Sequence, residues 1–515
     1  MDFANAFYYA ESGKAGLLTD AVKSIKATEW SELPAEIYEL EDELRGDLNY
    51  CRTQIIEVQN RIQMSLQDSA KVAAYEYRIF QLTRSLDSLI AQMEISYPEY
   101  YQLKYDNTLA TVSQVQDFLE EDQAIVEYHI ADDVAYVFAI GKDFKSVKKL
   151  MFNPELYALP SKCRTLLGTA DWSSQEAQSD SLDIVLHRLY NLLIAPLEDD
   201  LSQAEISKLT IVPDAQLGYL PFEILLKDLP KTGPKNYANY DYLLKHYDIA
   251  YSFSSNLLLN VEKNGKGQGH ISFAPKYELS RSLGKFRGAF SELEWNGEEA
   301  KEVQRHLGGV ALTGTQATER LFKEKVHDVN IVHLAMHAFV DDQDPMQSKL
   351  IFYQNNDSIE DGLLHAFELY NMRFDAEMVV LSACETGYGK LLKGEGIASL
   401  ARGFAYAGVP SLVLSHWQVD DRSTKEIMGL FYQNLAKGDR KSVALRRAKL
   451  TYLKTAPPGK GHPYYWGAFV VMGEDAPIKS DDFNMWIYLT FGTLLALSCL
   501  FLVGRWRRFY QHSSG

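Results

Sequence analysis

The sequence is poor in cysteine and carries no excess of positive charge, and both shortages exclude classes of function. Its 515 residues include only four cysteines, which are too scattered for a disulfide framework and form no CxxC pair. A structural zinc site is therefore not expected. Acidic side chains outnumber basic ones by 69 to 52, giving a formal charge of −17. Because phosphate backbones are bound by basic surfaces, nucleic acid is not expected as a partner.

An N-terminal export signal is also lacking, since the first residues (MDFANAFYYAESGK) have neither a basic start nor an apolar core. One uncharged apolar run, residues 485–503, is long enough to cross a hydrocarbon core about 30 Å thick. Aromatic residues flank it and arginines follow it, which favours a transmembrane helix over a buried core helix. We therefore predict a single-pass membrane protein that contacts the membrane through 485–503. Residues 504–515 would form a short basic tail on the cytoplasmic side.

That orientation places most of the chain outside the cytoplasm and so requires an export signal. Two alternatives stay open: the natural chain begins further upstream, or the protein is tail-anchored against the charge rule. Four scattered cysteines do not indicate a compartment.

Composition and length predict an ordered protein of two or three domains, with 46% hydrophobic and 23% charged residues. Residues 1–105 read as helical. Apolar residues at spacings of three and four over 37–62 and again over 72–93 predict an antiparallel helical hairpin. A shorter helix over 3–24 has the pattern of small and aromatic residues seen in one helix of a tetratricopeptide-like repeat. Since a single repeat buries too little to be stable alone, this pattern also favours a longer natural chain.

The pattern changes to strands after residue 106. Alternating runs at 124–130 and 134–141 predict a β-hairpin, and a second series of short apolar runs follows a glycine-rich linker at 263–269. Continuous apolar strands alternating with helices predict a mostly parallel sheet covered on both faces. We divide this part into two α/β domains, 106–262 and 270–476.

Two residues with catalytic chemistry each follow a predicted strand. His337 follows the apolar run IVHLAM, and Cys384 follows EMVVLSA. Ligands of open parallel sheets bind at the carboxyl ends of the strands. The histidine precedes the cysteine by about 50 residues, as in caspase-type enzymes. A thiolate is a strong nucleophile, and a neighbouring imidazole lowers the pKa of the thiol and protonates the leaving group. We predict that His337 and Cys384 form a catalytic pair.

The stretches HLAMHA and LSACETGYGKLLKGEGIASLARGFAYAGVPSLVLSHWQVDD resemble the CHAT domain, a caspase-superfamily peptidase domain related to separase. The resemblance covers roughly residues 115–475. It implies a caspase-like α/β fold in which an inactive caspase-like domain precedes the active one, with the helical region before both and the transmembrane helix after them. It also implies that His337 is the base, that Cys384 is the nucleophile, and that the N–H groups of Ala338 and Cys384 form the oxyanion hole. The family usually has glycine where this chain has Ala338.

The resemblance further implies a protein or peptide substrate and a regulatory protein partner at the helical N-terminal region, with no cofactor or metal. Asp421, or its neighbour Asp420, would receive a basic side chain at the cleavage site. The alternative for either aspartate is that it caps the helix that begins near Ser423. The other histidines and Cys163 are interpreted as structural: His187, His333, His365, His416 and His462. The alternative function is a catalytically silent caspase-like scaffold that assembles a protein complex at the membrane.

Overall fold

An 11-stranded sheet forms the centre of the protein in its computed structural model. The structure describes residues 2–14, 16, 18–20, 22–23, 34–59, 66–98, 101, 104, 108–131, 134–150, 154–168, 176–230, 235–260, 267–277, 292–341, 344–355, 359–370, 372–382, 389–392, 396–418, 420–457 and 459–478.

The strands of the protein are numbered here in chain order. They are β1 Gln123–Ala131, β2 Val134–Gly141, β3 Lys145–Leu150, β4 Lys208–Val212, β5 Asp248–Tyr251, β6 His270–Pro275, β7 Val310–Gly314, β8 Ile331–Ala335, β9 His337–Phe339, β10 Lys349–Ile351, β11 Leu363–His365, β12 Met378–Ser382, β13 Gly389–Leu392, β14 Gly396–Ser399, β15 Ser411–Ser415 and β16 Phe469–Gly473.

The helices follow the same convention. They are α1 Phe3–Ser12, α2 Ala35–Gln59, α3 Leu66–Ser96, α4 Val112–Phe118, α5 Pro154–Gly168, α6 Glu176–Leu193, α7 Glu198–Gln203, α8 Ser255–Asn260, α9 Asn296–Leu307, α10 Glu319–Lys325, α11 Ala366–Leu369, α12 Leu400–Tyr406, α13 Asp421–Leu435, α14 Lys441–Thr455 and α15 Pro463–Trp466.

The strand order of the main sheet is β3-β2-β1-β4-β5-β16-β15-β12-β8-β6-β7. Only the pairs β1–β2, β2–β3 and β15–β16 are antiparallel, so the prediction of a mostly parallel sheet is confirmed, as is the hairpin of β1 and β2. Strands β8, β12 and β15 are buried at every position. Since successive side chains of a strand point to opposite faces, both faces of the sheet are covered, which confirms the α/β class.

The two predicted α/β blocks meet edge to edge inside this one sheet. The last strand, β16, lies between β5 of the first block and β15 of the second, with Met472 paired to Tyr251. A buried hydrophobic core is continuous across the junction and includes Ile211 and Phe222 from the first block and Leu334 and Val413 from the second. The division into domains at 106–262 and 270–476 stays a prediction, and it cuts a continuous core.

The N-terminal helices differ in how they relate to the sheet. Helices α2 and α3 pack on one another around Leu48, Leu82 and Leu86, which confirms the predicted hairpin. Helix α1 ends at Ser12, and the described residues 16, 18–20 and 22–23 are helical again, so the predicted helix over 3–24 is interrupted at Gly13 and Lys14. Helix α1 packs on the main sheet, where the buried Phe7 belongs to an apolar cluster that includes Ile125 and Phe138.

The prediction of a C-terminal transmembrane helix, and with it the single-pass membrane localisation and the membrane partner, is corrected here. Across the part of the chain that the structure describes, no helix is both long and apolar enough to cross a bilayer. The two longest described helices, α2 and α3, have 25 and 31 residues, but charged residues recur along them. Residues 485–503 themselves lie outside the described residues.

The strand predicted over IVHLAM is followed directly by a second strand that begins at His337. Strand β8 ends at Ala335 in the main sheet, whereas β9 begins at His337 in a separate three-stranded sheet of order β11-β10-β9. The break at Met336 therefore places His337 in a different sheet from His333.

Candidate functional site

The site lies at the carboxyl ends of β8 and β12, which are adjacent and parallel. Their final residues, Ala335 and Ser382, are paired, and the Met336 N–H donates to the Ser382 carbonyl oxygen at 3.3 Å. The strands that precede His337 and Cys384 in the sequence are therefore neighbours. Cys384 follows Ser382 by two positions in the sequence and lies outside the described residues, so the geometry of the site is built from its other members.

His337 is the first residue of β9 and is buried, with 5% of its surface exposed. It pairs with Ile351 of β10 in an antiparallel register. The position of His337 thus depends on two sheets at once. Strand β8 brings the chain to the edge of the main sheet, and β10 holds it after the break at Met336.

Tyr277 fixes the backbone of His337. Its hydroxyl accepts a hydrogen bond from the His337 N–H at 2.9 Å and donates one to the Ile351 carbonyl oxygen at 2.7 Å. The hydroxyl therefore bridges the His337–Ile351 pair between β9 and β10. The two rings also lie against each other, with centroids 4.6 Å apart and planes inclined by 52°.

The direction of the Ala338 N–H follows from this bridge. In an antiparallel ladder, successive residues direct their N–H and C=O groups alternately toward and away from the partner strand. Ile351 directs its carbonyl toward β9 through Tyr277, whereas the next N–H, from Phe352, donates to Gly362 on the other side. His337 therefore faces β10, and the N–H of Ala338 points away from it. Within the described sheets β9 is an edge strand, so that N–H lies on the outer side of the small sheet.

Asn296 holds the strand ends together beside His337. Its side chain is buried and its Nδ2 donates to the carbonyl oxygens of Pro275 at 2.9 Å and of Ala335 at 3.2 Å. It thus ties the end of β6 to the end of β8 from the first turn of α9. Sequence analysis missed both Asn296 and Tyr277. The available signal for Tyr277 was its position two residues after the strand ISFAP, at the edge where ligands bind.

Asp420 and Asp421 have different surroundings. Asp420 caps α13 by accepting from the Ser423 N–H at 3.0 Å, and it pairs with Lys460 at 3.0 Å. Burial opposes ionisation of Asp420, but the hydrogen bonds from Ser423 and Lys460 prevail and hold its pKa below the usual value. The capping alternative is thus confirmed for Asp420.

Asp421 instead faces the segment before α9, where its Oδ2 accepts from the Trp295 N–H at 2.7 Å. Burial raises the pKa of Asp421, and the charge of Glu299 adds to this effect against the hydrogen bond from Trp295. Through Trp295 and the adjacent Asn296, Asp421 is linked to the strand ends that precede His337. No described cationic side chain forms an ion pair with Asp421.

His333 lies in β8 and makes buried contacts with two helices. Its Nδ1 lies 2.9 Å from the Tyr432 hydroxyl oxygen, and its Nε2 lies 3.0 Å from Glu299 Oε1. Both ring nitrogens thus have polar neighbours inside the protein, on α13 and α9. This arrangement agrees with the structural interpretation of His333.

Cys163 and the other histidines interpreted as structural fall into two groups. Burial favours the neutral form of some of them, and the ring nitrogens of the others contact polar groups of the protein. Burial raises the pKa of Cys163 to about 12, so its thiolate is disfavoured. Burial also lowers the pKa of His416 and of His462 to about 3, and lowers that of His365. The ring nitrogens of His187 contact the Leu226 carbonyl oxygen and the Asn191 side chain.

Three carboxylates on the second block lie close enough together to hold a cation: Glu319, Glu360 and Glu368. The Lys323 ammonium already lies between them, 2.7 to 2.8 Å from an oxygen of each. The group is therefore an internal ion-pair network.

Comparison with known protein families identifies the domain that contains this site. Residues 183–474 match the CHAT domain, a range that includes all the residues of the site. The human tetratricopeptide repeat protein 28 is 24% identical over 379 residues, which cover 64% of this chain and 15% of that protein. The chain thus spans a small part of that relative's length.

Two solved structures are similar at a low level. The Saccharomyces cerevisiae separase–securin complex gives a TM-score of 0.43 at 10% identity, covering 90% of this chain and 40% of that chain. The Arg specific cysteine proteinase gingipain R gives a TM-score of 0.33 at 8% identity, covering 63% of this chain and 76% of that one. Similarity at this level does not extend to activity.

Proposed function

The protein belongs to the CHAT domain family, which matches more than half of its chain, and we propose that it is a cysteine endopeptidase with Cys384 as nucleophile and His337 as base. One observation carries the proposal: β8 and β12 end side by side at the paired residues Ala335 and Ser382. In the sequence, His337 and Cys384 each follow their strand end by two residues. Equal offsets from a paired position in parallel strands favour a short distance between the two residues.

The reaction proceeds in two steps. The Cys384 thiolate attacks the carbonyl carbon of a peptide bond, and the His337 imidazolium gives its proton to the departing amine, which leaves a thioester on Cys384. His337, now neutral, takes a proton from water as the water attacks the thioester. The carboxylic acid product leaves, and the thiolate and imidazolium are restored.

Charge develops on the carbonyl oxygen in both steps and needs N–H donors. The Ala338 N–H is one donor in this proposal, supported by its direction away from β10. The Cys384 N–H is the second. Alanine retains the N–H that a glycine would supply at this position, at the cost of some backbone freedom.

The substrate is proposed to be a protein or peptide with a basic residue at the cleavage site, bound by Asp421. Asp421 supports this role better than Asp420, whose carboxylate already caps α13 and pairs with Lys460. A carboxylate that lacks a described cationic partner can accept the guanidinium of a substrate arginine.

We also infer that a protein partner binds the helical hairpin of α2 and α3 and regulates the peptidase. The hairpin exposes three aromatic side chains, Tyr50, Tyr77 and Phe80, each more than half accessible. Aromatic residues are enriched where proteins bind each other. A pull-down that compares the wild-type full chain with a full chain carrying Tyr77→Ser and Phe80→Ser tests this role. The double variant should lose the partner, whereas a partner that binds another surface would still be retained.

The test of the activity is covalent labelling with a peptidyl warhead that ends in arginine. Wild type should be labelled at Cys384, Cys384→Ala should not be labelled, and His337→Ala should be labelled far more slowly. Cys163→Ala is the matched control and should behave as wild type, because burial raises the pKa of that thiol to about 12. Mass spectrometry of the labelled peptide identifies the site.

A catalytically silent scaffold is the second candidate, favoured by Ala338 at a position where the family usually has glycine. It predicts that wild type is unlabelled by warheads ending in basic, acidic or apolar residues, with or without a hairpin-binding partner. That result would move the assignment from peptidase to scaffold.

A further inference from the structure

We propose that Tyr277 is a positioning residue for the base of this site, acting on His337 from outside both predicted catalytic motifs. The inference rests on the proposed peptidase function and identifies a component of it that the sequence motifs do not contain. Tyr277 lies 60 positions before His337 in the chain, two residues beyond the end of β6.

The Tyr277 hydroxyl forms two hydrogen bonds. It accepts from the His337 N–H at 2.9 Å and donates to the Ile351 carbonyl oxygen at 2.7 Å. Both lengths are those of well-formed hydrogen bonds. A hydroxyl is suited to this position because it accepts and donates at once. It therefore joins β9 to β10 at the residue whose side chain is the proposed base.

The rings of Tyr277 and His337 are in contact. The centroids of the Tyr277 phenol and the His337 imidazole lie 4.6 Å apart, with planes inclined by 52°. Aromatic pairs at this separation attract each other in offset or tilted geometries. The ring thus restricts rotation of the imidazole about its bond to Cβ, while the hydroxyl restricts the backbone below it.

His337 lies at the junction of two sheets. His337 begins a three-residue strand directly after the break at Met336, so few ladder bonds fix it. Asn296 ties together the preceding strand ends, Pro275 and Ala335. Tyr277 supplies the hydrogen bond and the ring contact at the point where the regular sheet has ended.

Positioning matters because a displacement of about 1 Å in a reacting group costs on the order of 100-fold in rate. In the proposed site, a His337 ring held in one orientation stabilises the Cys384 thiolate at neutral pH. A His337 ring that rotates stabilises the thiolate for only part of the time. Removal of the Tyr277 hydroxyl should therefore act on the Cys384 thiol through His337, without touching substrate.

The test measures the alkylation rate of Cys384 by iodoacetamide as a function of pH, in the full chain, with the modified peptide identified by mass spectrometry. This readout follows thiolate formation and needs no peptide substrate. In wild type the rate should rise at a pH well below the ordinary thiol pKa, and His337→Ala should return it to the ordinary value. Tyr277→Phe should shift the midpoint upward and slow alkylation at pH 6 by about tenfold, equivalent to one pH unit.

Tyr432→Phe is the matched control. It also removes a tyrosine hydroxyl bound to a histidine, but that histidine is His333, at 2.9 Å. It should lower the denaturation temperature and leave the pH profile of Cys384 unchanged. Circular dichroism confirms that each variant is folded at the temperature used.

The outcomes separate the inference from the function on which it rests. An ordinary thiol pKa in wild type that His337→Ala does not change would overturn the peptidase proposal and this one with it. A lowered thiol pKa that depends on His337 but is unchanged in Tyr277→Phe would overturn the role of Tyr277 alone. An unfolded Tyr277→Phe protein would show that the hydroxyl serves the fold, and would also count against the inference.

Discussion

The two halves of the sheet use the polar residues at their strand ends differently. In the first half the Tyr251 hydroxyl, at the end of β5, donates to Glu223 at 2.6 Å, and Lys449 of α14 reaches the same carboxylate at 3.3 Å. All three side chains are buried, and Lys449 joins the first half to the second. In the second half the chain leaves the main sheet after β8 and reaches His337 in a separate sheet, and in the sequence Cys384 follows the end of β12 by two residues.

The difference shows how similar α/β blocks come to have different uses. A strand end whose polar groups are satisfied inside the core contributes to stability, since unpaired buried groups are costly. Where the chain leaves the sheet at the end of a strand, it can place a backbone N–H or an imidazole at the edge of that sheet. Mutations in the first half should therefore change stability, and mutations at the second edge should change activity.

The largest effect is expected from His337→Ala. Loss of the base should reduce cleavage of a fluorogenic peptide by about 1,000-fold, in the range expected for removal of a general base. The unfolding temperature should fall moderately, because the contact between the two rings is lost while alanine still donates its N–H to Tyr277. Steady-state kinetics beside a thermal melt measures both quantities.

The matched variant in the first half is His187→Ala. His187 also belongs to an α/β block, but its ring nitrogens contact Leu226 and Asn191. It should retain the activity of wild type per folded molecule, and a comparable loss of activity would break the distinction between the halves.

The second largest effect is a loss of stability, which we expect from Lys449→Met. The side chain of Lys449 is fully buried and also donates to the Phe469 carbonyl oxygen at 2.6 Å. Burial lowers the pKa of Lys449, and the neighbouring Glu223 opposes that shift. Its removal leaves Glu223 buried without its cation, which should lower the free energy of unfolding by about 3–5 kcal/mol, measured by urea denaturation.

Two controls sharpen this result. Glu223→Gln combined with Lys449→Met should recover part of the loss, because no charge is then left unpaired in the core. Lys301→Ala, which breaks the exposed pair with Glu298, should have no measurable effect. A single Lys449→Met variant as stable as wild type would show that the pair does not hold the halves together.

The third effect concerns Asp421 and Asp420, adjacent in sequence but different in their contacts. Asp421→Asn should reduce kcat/KM for substrates with arginine or lysine at the cleavage site by about tenfold or more. Cleavage of an otherwise identical peptide with alanine there should be unaffected. Asp420→Asn should leave the preference intact, and an equal loss with both peptides would assign Asp421 a structural role at Trp295.

The smallest effect is expected at His416, which follows β15 and is buried. Across the described residues neither of its ring nitrogens has a hydrogen-bond partner, so His416→Leu should stabilise the protein by about 1 kcal/mol at neutral pH. Burial, with Lys449 and Arg164 nearby, lowers the folded pKa of His416 to about 3 from an unfolded value of 6.5. The unfolded chain therefore binds the extra proton as pH falls from 6.5 toward 3, and wild type loses stability over that window.

The His416→Leu variant lacks this loss, so its advantage over wild type should grow as the pH is lowered. Urea denaturation at pH 7 and pH 5 measures the difference. A constant difference between the two pH values would contradict a neutral, buried His416.

Much of the local structure was predictable from sequence. The apolar periodicity of 37–62 and 72–93 predicted α2 and α3, and the short apolar runs predicted β6, β8, β12 and β15, because such patterns depend on residues close together in the chain. The parallel pairing of β8 with β12 followed from the α/β pattern. Local patterns of the same kind did not predict that His337 begins a second strand in another sheet, since nothing in the periodicity marks the break at Met336.

The sequence by itself determined the α/β class, the family motifs and the positions of His337 and Cys384 just after their strands, because each depends on neighbouring residues. Tertiary structure alone decided that β16 closes the two blocks into one sheet and that Asp420 rather than Asp421 caps α13. It also decided that Tyr277 bridges His337 to Ile351, 60 and 74 positions away along the chain. Such contacts are fixed by strand order and register across the whole sheet, which no local pattern specifies.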